Sequence, residues 1–388
     1  MQNDAQYPVF SESEYQRRYG LAKELMQEME LDALLFYGRG SMPDIHYLTN
    51  WLVTTEAYLI FPLAGDPTML VQLSNHLPDA KRMAIIDDVR FGGTNASGGV
   101  DSTATVIGCL KERSLGRARL GTVGSIPYQH YLRYREALPE ITWVDASAPV
   151  RNFRQVKSAE EFERIKCAAE LSDSAVAALA QQLRPGLREY QLAQIVEDAY
   201  LGVGGYNGIH YMLSTPMRAP RAGVPSQHLS NRLIEKGDIL ITEISAGWWG
   251  YTGQLHRTFT VGEAPTPEYA RMHEVALETF ERVEAILRDG ATVDEVLDAA
   301  ELIQESGFTV YDDFLHGLNQ LPPILRTRQT SRGVPKNFLF KEDMVVVIQP
   351  NVVTLDGKRG LQFGEALRIT KKGVERLHHY PRQLVVCA

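Results

Sequence analysis

Cysteine is scarce in this chain, three among 388 residues. Cys109, Cys167 and Cys387 lie far apart and form no metal pair, which fits a reducing, cytoplasmic setting. Long apolar runs are missing too. None approaches the ~18 residues of a membrane-spanning helix, so no membrane partner is expected. The opening residues, MQNDAQYPVFSESEY, contain neither a basic stretch nor an apolar one, and a secretory signal is not expected. Positive charge is in deficit: 40 Lys and Arg stand against 48 Asp and Glu, for a net charge of −8 and a pI near 5.7. That balance excludes a phosphate-tracking nucleic-acid binder, which needs a basic face. Short repeats, low-complexity tracts and heptads are absent. What is present, 44% hydrophobic and 23% charged residues, is the make-up of a globular protein long enough for two domains.

The first 155 residues alternate helical and strand periods. Positions 11–30 carry apolar residues at helical spacing, with Ser11 as N-cap and Glu14 three residues on. The apolar runs 31–37, 57–62, 68–71 and 120–123 read as strands, and 103–113 as a helix. This alternation predicts an α/β domain over residues 1–155. A second domain, 156–388, begins with a linker and a long helix capped by Ser158 and Glu161. It continues with strands at 238–243, 256–261, 343–349 and 366–370. Helices fill 267–288, with Pro267 at the first helical position, and 293–305.

An ordered set of segments in the second half resembles the creatinase/aminopeptidase P/prolidase family. The segments are Lys236-Gly237-Asp238, Gly250-Tyr251 with Arg257-Thr258-Phe259, His316-Gly317, Met344-Val345 through Pro350, and the run from Gly364 to Thr370. The resemblance implies an α/β (α+β) chain with a creatinase-like N-terminal domain and a pita-bread catalytic domain. It also implies a homodimer in which the partner's N-terminal domain caps the pocket, with Trp51 a candidate capping residue. Peptidases of this family hold two divalent ions with Asp, Asp, His, Glu and Glu. Carried over, those positions fall on Glu243, Gln254, His316, Gln349 and Gly364, or on Glu365 if the register slips by one. Paired dications need several carboxylates to offset their charge, and amides are weak neutral ligands. The expectation is therefore no metal and no cofactor.

The metal-free precedent within the resemblance is creatinase. Its catalytic Glu position falls on His256, and the His following its last metal position falls on Glu365. Its general-base His aligns on Ser226, with His228 two residues on. An imidazole can exchange a proton near neutral pH, so His256 and Glu365 are the expected acid–base pair. His316 and Glu243 are expected to polarise substrate or hold water. Gln254 and Gln349 suit a neutral amide or carbonyl group, and Arg326 and Arg328 a substrate carboxylate. Tyr211 and Tyr251 supply apolar wall. The expected function is a cytoplasmic, metal-independent, creatinase-like hydrolase that opens a C–N bond in a small polar or zwitterionic molecule. Three other readings stand beside it: an Xaa-Pro metallopeptidase with a reduced metal site, a lyase on the same scaffold, and a non-catalytic binding protein.

Overall fold

A computed structural model describes residues 7–40, 43–93, 101–331, 333 and 337–388. The chain divides into two compact units, Met1–Phe153 and Arg154–Ala388.

The first unit is built on a six-stranded sheet of β1 (Ala33–Arg39), β2 (Glu56–Pro62), β3 (Thr68–Val71), β4 (Asp88–Phe91), β5 (Arg119–Val123) and β6 (Thr142–Asp145). Their spatial order is β4-β3-β2-β1-β5-β6. Strand β1 pairs parallel with β5 and antiparallel with β2. The central strands β1, β2 and β3 are almost wholly buried, and β2 has no exposed residue, whereas the edge strands β4 and β6 carry polar residues. Helix Glu12–Glu28 starts as its residues dictate, with Ser11 Oγ accepting the Glu14 N–H at 3.2 Å. Trp51 is buried among Ile45, Leu48 and Val53 in this unit's own core. It presents no surface from which to cap a pocket, contrary to the expectation.

In the second unit, helix Ala159–Gln182 opens with a complete capping box. Ser158 Oγ accepts the Glu161 N–H at 3.2 Å, and Glu161 accepts the Ser158 N–H at 3.0 Å. The strands are β7 (Tyr206–Pro216), β8 (Asp238–Trp248), β9 (Tyr251–Val261), β10 (Thr309–Val310), β11 (Leu315–Gly317), β12 (Leu321–Leu325), β13 (Val345–Ile348), β14 (Val352–Val353), β15 (Gly364–Ile369), β16 (Val374–Arg376) and β17 (Val385–Cys387). The main sheet runs β12-β11-β13-β15-β9-β8-β7, with β16 on β15 and β17 on β9; β10 and β14 pair separately. Strands β8 and β9 form one hairpin closed by the two residues Trp249 and Gly250, with φ of 44° and 84°. Positive φ at both positions matches the twist of the flanking strands. The strands therefore continue past the stretches that hydrophobicity marked. Helices Pro267–Ile286 and Val293–Ala300 pack their apolar sides into a core with Ile239, Ile241, Val346 and Leu367. The expected helix 293–305 breaks after Ala300 and resumes as Leu302–Glu305. Among the described residues no helix is long and apolar enough to cross a membrane.

Candidate active site

Register decides which side chains meet, because directly opposed residues share a sheet face and sequence neighbours do not. Glu243 on β8 lies opposite His256 on β9, and His256 lies opposite Gly364 on β15. Gln254 is two residues from His256 and shares its face. On β11, His316 lies opposite Val347 of β13, and Gln349 follows that strand at the same parity. One patch of sheet thus gathers Glu243, Gln254, His256, His316 and Gln349. Tyr211 joins it opposite Glu243, from β7.

Hydrogen bonds tie the patch together. Gln254 Nε2 donates to Glu243 Oε1 at 3.0 Å and to Gln349 Oε1 at 3.1 Å, and lies 3.0 Å from His256 Nε2. Three neighbours compete for two N–H hydrogens. Gln349 Nε2 in turn donates to the Asp313 carbonyl at 3.0 Å, with Asp313 Oδ2 at 3.4 Å. His256 Nδ1 meets Gln362 Oε1 at 3.0 Å, and an amide oxygen only accepts, so the ring carries its proton on Nδ1. Burial drives the His256 pKa down to about 3, and the imidazole is neutral. His316 is also wholly buried, with Nδ1 on the Gly317 carbonyl at 2.8 Å. Its Nε2 has no hydrogen-bond partner among the described residues and lies 4.0 Å from Asp313 Oδ2.

Asp312 and Asp313, which the sequence reading passed over, complete the site. Burial, then the charges of Asp312 and Asp313, push the Glu243 carboxyl up to about 8, so it holds a proton at neutral pH. Asp312 rises to about 6 through burial and Asp313, against the lowering effects of Asn351 and Arg326. Arg326 is half-buried and close enough to Asp312 to act on it.

Other expected members go elsewhere. Glu365 lies opposite Leu255, on the reverse face from His256, so the acid–base pair does not form. Its buried carboxylate accepts from Arg257 at 2.7 Å, Arg376 at 2.6 Å and Arg382 at 2.9 Å. Burial alone would raise its pKa; the Arg376 hydrogen bond and the charges of Arg257, His378 and Arg382 bring it to about 2. Such a carboxylate is an ion-pair hub and holds no proton to transfer. Arg328 is spent on a surface network with Asp294, Asp298 and Glu301. The Tyr251 hydroxyl donates to Glu161 at 3.0 Å, bracing the capping box. Ser226 bridges to Met212 through its backbone, and His228 is exposed.

The donor set does not fit a pair of dications. Two of the five positions are amides already bonded to their neighbours. A third is closed sterically: a Cβ on Gly364 would lie 2.3 Å from the Ile348 carbonyl oxygen and 2.8 Å from Gln349 Cα. Among the described residues no group of three or more His, Cys, Asp or Glu is placed to hold a metal ion. A cavity of about 520 Å³ does exist in the first unit, lined by Gly124, Tyr128, Tyr131, Trp143 and Asp145. It contains none of these residues.

The sequence model of metallopeptidase family M24 matches residues 163–371, more than half of the chain. The chain belongs to metallopeptidase family M24. The creatinase/prolidase N-terminal domain matches residues 18–156, so the family resemblance and the two-domain α/β (α+β) architecture are both shown. Among M24 relatives, an Xaa-Pro dipeptidase of Pyrococcus horikoshii is 27% identical over 375 residues, covering 93% of this chain and 97% of that protein. A Sinorhizobium fredii protein named as a hydrolase/peptidase, y4tL, is 26% identical over 399 positions, covering 97% and 98%. Two solved structures share the fold. They are the prolidase of Thermococcus sibiricus, with a TM-score of 0.81 at 20% identity covering 97% of this chain and all of that one, and the X-Pro aminopeptidase of Thermotoga maritima, with a TM-score of 0.78 at 20% identity covering 95% and 99%. These findings correct the expected metal-independent, creatinase-like hydrolase. The family is one of metallopeptidases, and the relatives above are named as an Xaa-Pro dipeptidase and a hydrolase/peptidase, so the chain is read as a hydrolase of the peptidase kind.

Proposed function

We propose that this M24 member acts on short peptides of the Xaa-Pro type, at a site whose ion-binding positions are reduced from the paired arrangement. One observation carries the reading: the family's site positions converge on a single sheet face, where Glu243, Gln254, His316 and Gln349 are joined by Asp312 and Asp313. The groups suit a peptide. Gln254 and Gln349 offer amide donors and acceptors to a peptide bond, Tyr211 supplies an apolar edge, and Arg326 can take a terminal carboxylate through two parallel hydrogen bonds. Protonated Glu243 is the group able to give a proton to a departing amine, and His316 Nε2 the group able to accept one. As a finer part of the same reading, the protein works as a cytoplasmic homodimer, which sedimentation velocity tests as twice the 43.5 kDa chain mass.

A second reading, binding without turnover, draws on the amides at two ligand positions and the closed place at Gly364. A panel of Xaa-Pro dipeptides, assayed with Mn²⁺ or Co²⁺ supplied and again after chelation, decides between them. Release of free proline in either arm is the expected result. Calorimetric binding with no release in both arms establishes the second reading, and absence of both binding and release overturns the two together.

A further inference from the structure

The first unit holds a cavity of its own, about 520 Å³, at the carboxyl ends of the parallel strands β5 and β6. That volume falls in the ~300–1,000 Å³ range of small-molecule sites. None of its lining residues belongs to the candidate active site. Helix Tyr128–Ala137 joins the two strands, and crevices at the carboxyl ends of such units are where α/β sheets take ligands. Register puts polar and aromatic parts on one face: Thr122 lies opposite Asp145, and Trp143 is two residues before Asp145. Tyr131 meets the Trp143 ring edge to face at 5.7 Å, and Tyr134 stacks on the same indole at 5.9 Å. Tyr128, 68% exposed, adds a further ring to the lining. Asp145 is the acid of this cavity. Its Oδ1 accepts the Ser147 N–H at 2.9 Å, which fixes the carboxylate and leaves acceptor lone pairs over. The Ser147 N–H and hydroxyl, and then the charge of Arg151, hold it below the usual carboxylate range, so it is anionic at neutral pH.

We propose that this cavity is a ribonucleoside site, with the base against Tyr128, Tyr131 and Trp143 and the vicinal diol on Asp145. Aromatic side chains suit any base, since every base has a π-face to stack. A diol offers two O–H donors to a carboxylate, and hydrogen bonds to an ion are among the stronger ones. The placement agrees. Asp145 ends the second strand about 20 residues after Gly124, the interval at which dinucleotide-binding units set an acid on the ribose. The phosphate cradle of such units is not built here. Their loop carries three glycines, whereas this one runs Gly124-Ser125-Ile126-Pro127, and Pro127 has no N–H to give. Its one glycine is held by packing, since a Cβ at Gly124 would lie 2.3 Å from the Tyr37 carbonyl oxygen. The ligand is therefore a nucleoside and not a dinucleotide. This site is independent of the peptide reading above.

Calorimetric titration and thermal shift of the full chain with adenosine, guanosine, cytidine and uridine test it. At least one of the four should bind and raise the melting temperature. Its 2′,3′-dideoxy counterpart, which keeps the base and lacks the diol, should bind at least about tenfold more weakly. Asp145→Asn keeps an acceptor for the Ser147 N–H but loses the charge, and should weaken the nucleoside by a similar factor. Tyr128→Ala removes a largely exposed ring, and should weaken the nucleoside and its dideoxy form alike by about fivefold or more. That variant carries the test if Asp145→Asn does not fold. No response to any of the four nucleosides overturns the site. Equal binding of the two forms overturns the diol on Asp145. Wild-type affinity in the folded variants puts the ligand elsewhere and overturns the cavity.

Discussion

Glu365 shows how much a single residue's sheet face matters. The sequence reading paired Glu365 with His256, and it does lie on the neighbouring strand, one place after the glycine opposite that histidine. Parity across β9 and β15 turns it to the opposite face, into contact with Arg257, Arg376 and Arg382. Replacing it with Gln leaves the Arg257 guanidinium buried without its anion, so Glu365→Gln should lose about 3 kcal/mol or more in urea unfolding at pH 7. The pH dependence has a definite sign. A carboxyl lowered from 4.5 to about 2 contributes stability that is complete above the unfolded value and is lost as pH falls from 4.5 toward 2. That contribution is on the order of 3 kcal/mol. His256, lowered from 6.5 to about 3, acts the same way, its share lost as pH falls from 6.5 to 3. Glu243 acts oppositely: raised from 4.5 to about 8, it makes stability fall as pH climbs through that interval. Unfolding free energies measured from pH 3 to 9 should therefore lose their decline on the alkaline side in Glu243→Gln, and an unchanged profile would contradict the buried, protonated Glu243. Asp312 and Asp313 escaped the sequence reading because nothing local marks an acidic pair in a loop. The signal available was their spacing, three and four residues ahead of His316.

At the scale of elements, most boundaries were legible where capping chemistry wrote them. Ser158 with Glu161 and Ser11 with Glu14 start their helices as read, and Ser158→Ala should cost about 1 kcal/mol, measured as a shift of the denaturant midpoint. The hairpin of β8 and β9 was harder, because hydrophobicity fades toward the turn while the backbone keeps pairing as far as Trp248 and Tyr251. Arg328 was misassigned because exposed acids on the Val293–Ala300 helix claim it, and those lie about 30 residues away in sequence. Gly364 is where an element dictates the site. Its missing side chain lets β15 close on Ile348 and Gln349. Gly364→Ala should destabilise the protein by about 1–3 kcal/mol through overpacking, and a neutral effect would show that the fifth ligand place is open after all.

Taken whole, the molecule keeps the two-unit layout that its alternating first half and its ordered C-terminal segments indicated, and both halves match their family models. The fold was thus readable from order and spacing. Chemistry was less so, since a list of aligned letters conveys neither face parity nor the Asp312–Asp313 loop. Family membership directed the functional reading toward peptides, while Gln254, Gln349 and Gly364 stand at three of the five positions that the resemblance gives to ion ligands. The decisive quantity is the ion stoichiometry of the intact protein, purified, equilibrated with Mn²⁺, freed of unbound metal and measured by elemental analysis against protein concentration. The amide-for-carboxylate exchanges and the closed place at Gly364 call for clearly fewer than two ions per chain. Two tightly held ions per chain would contradict the reduced site outright.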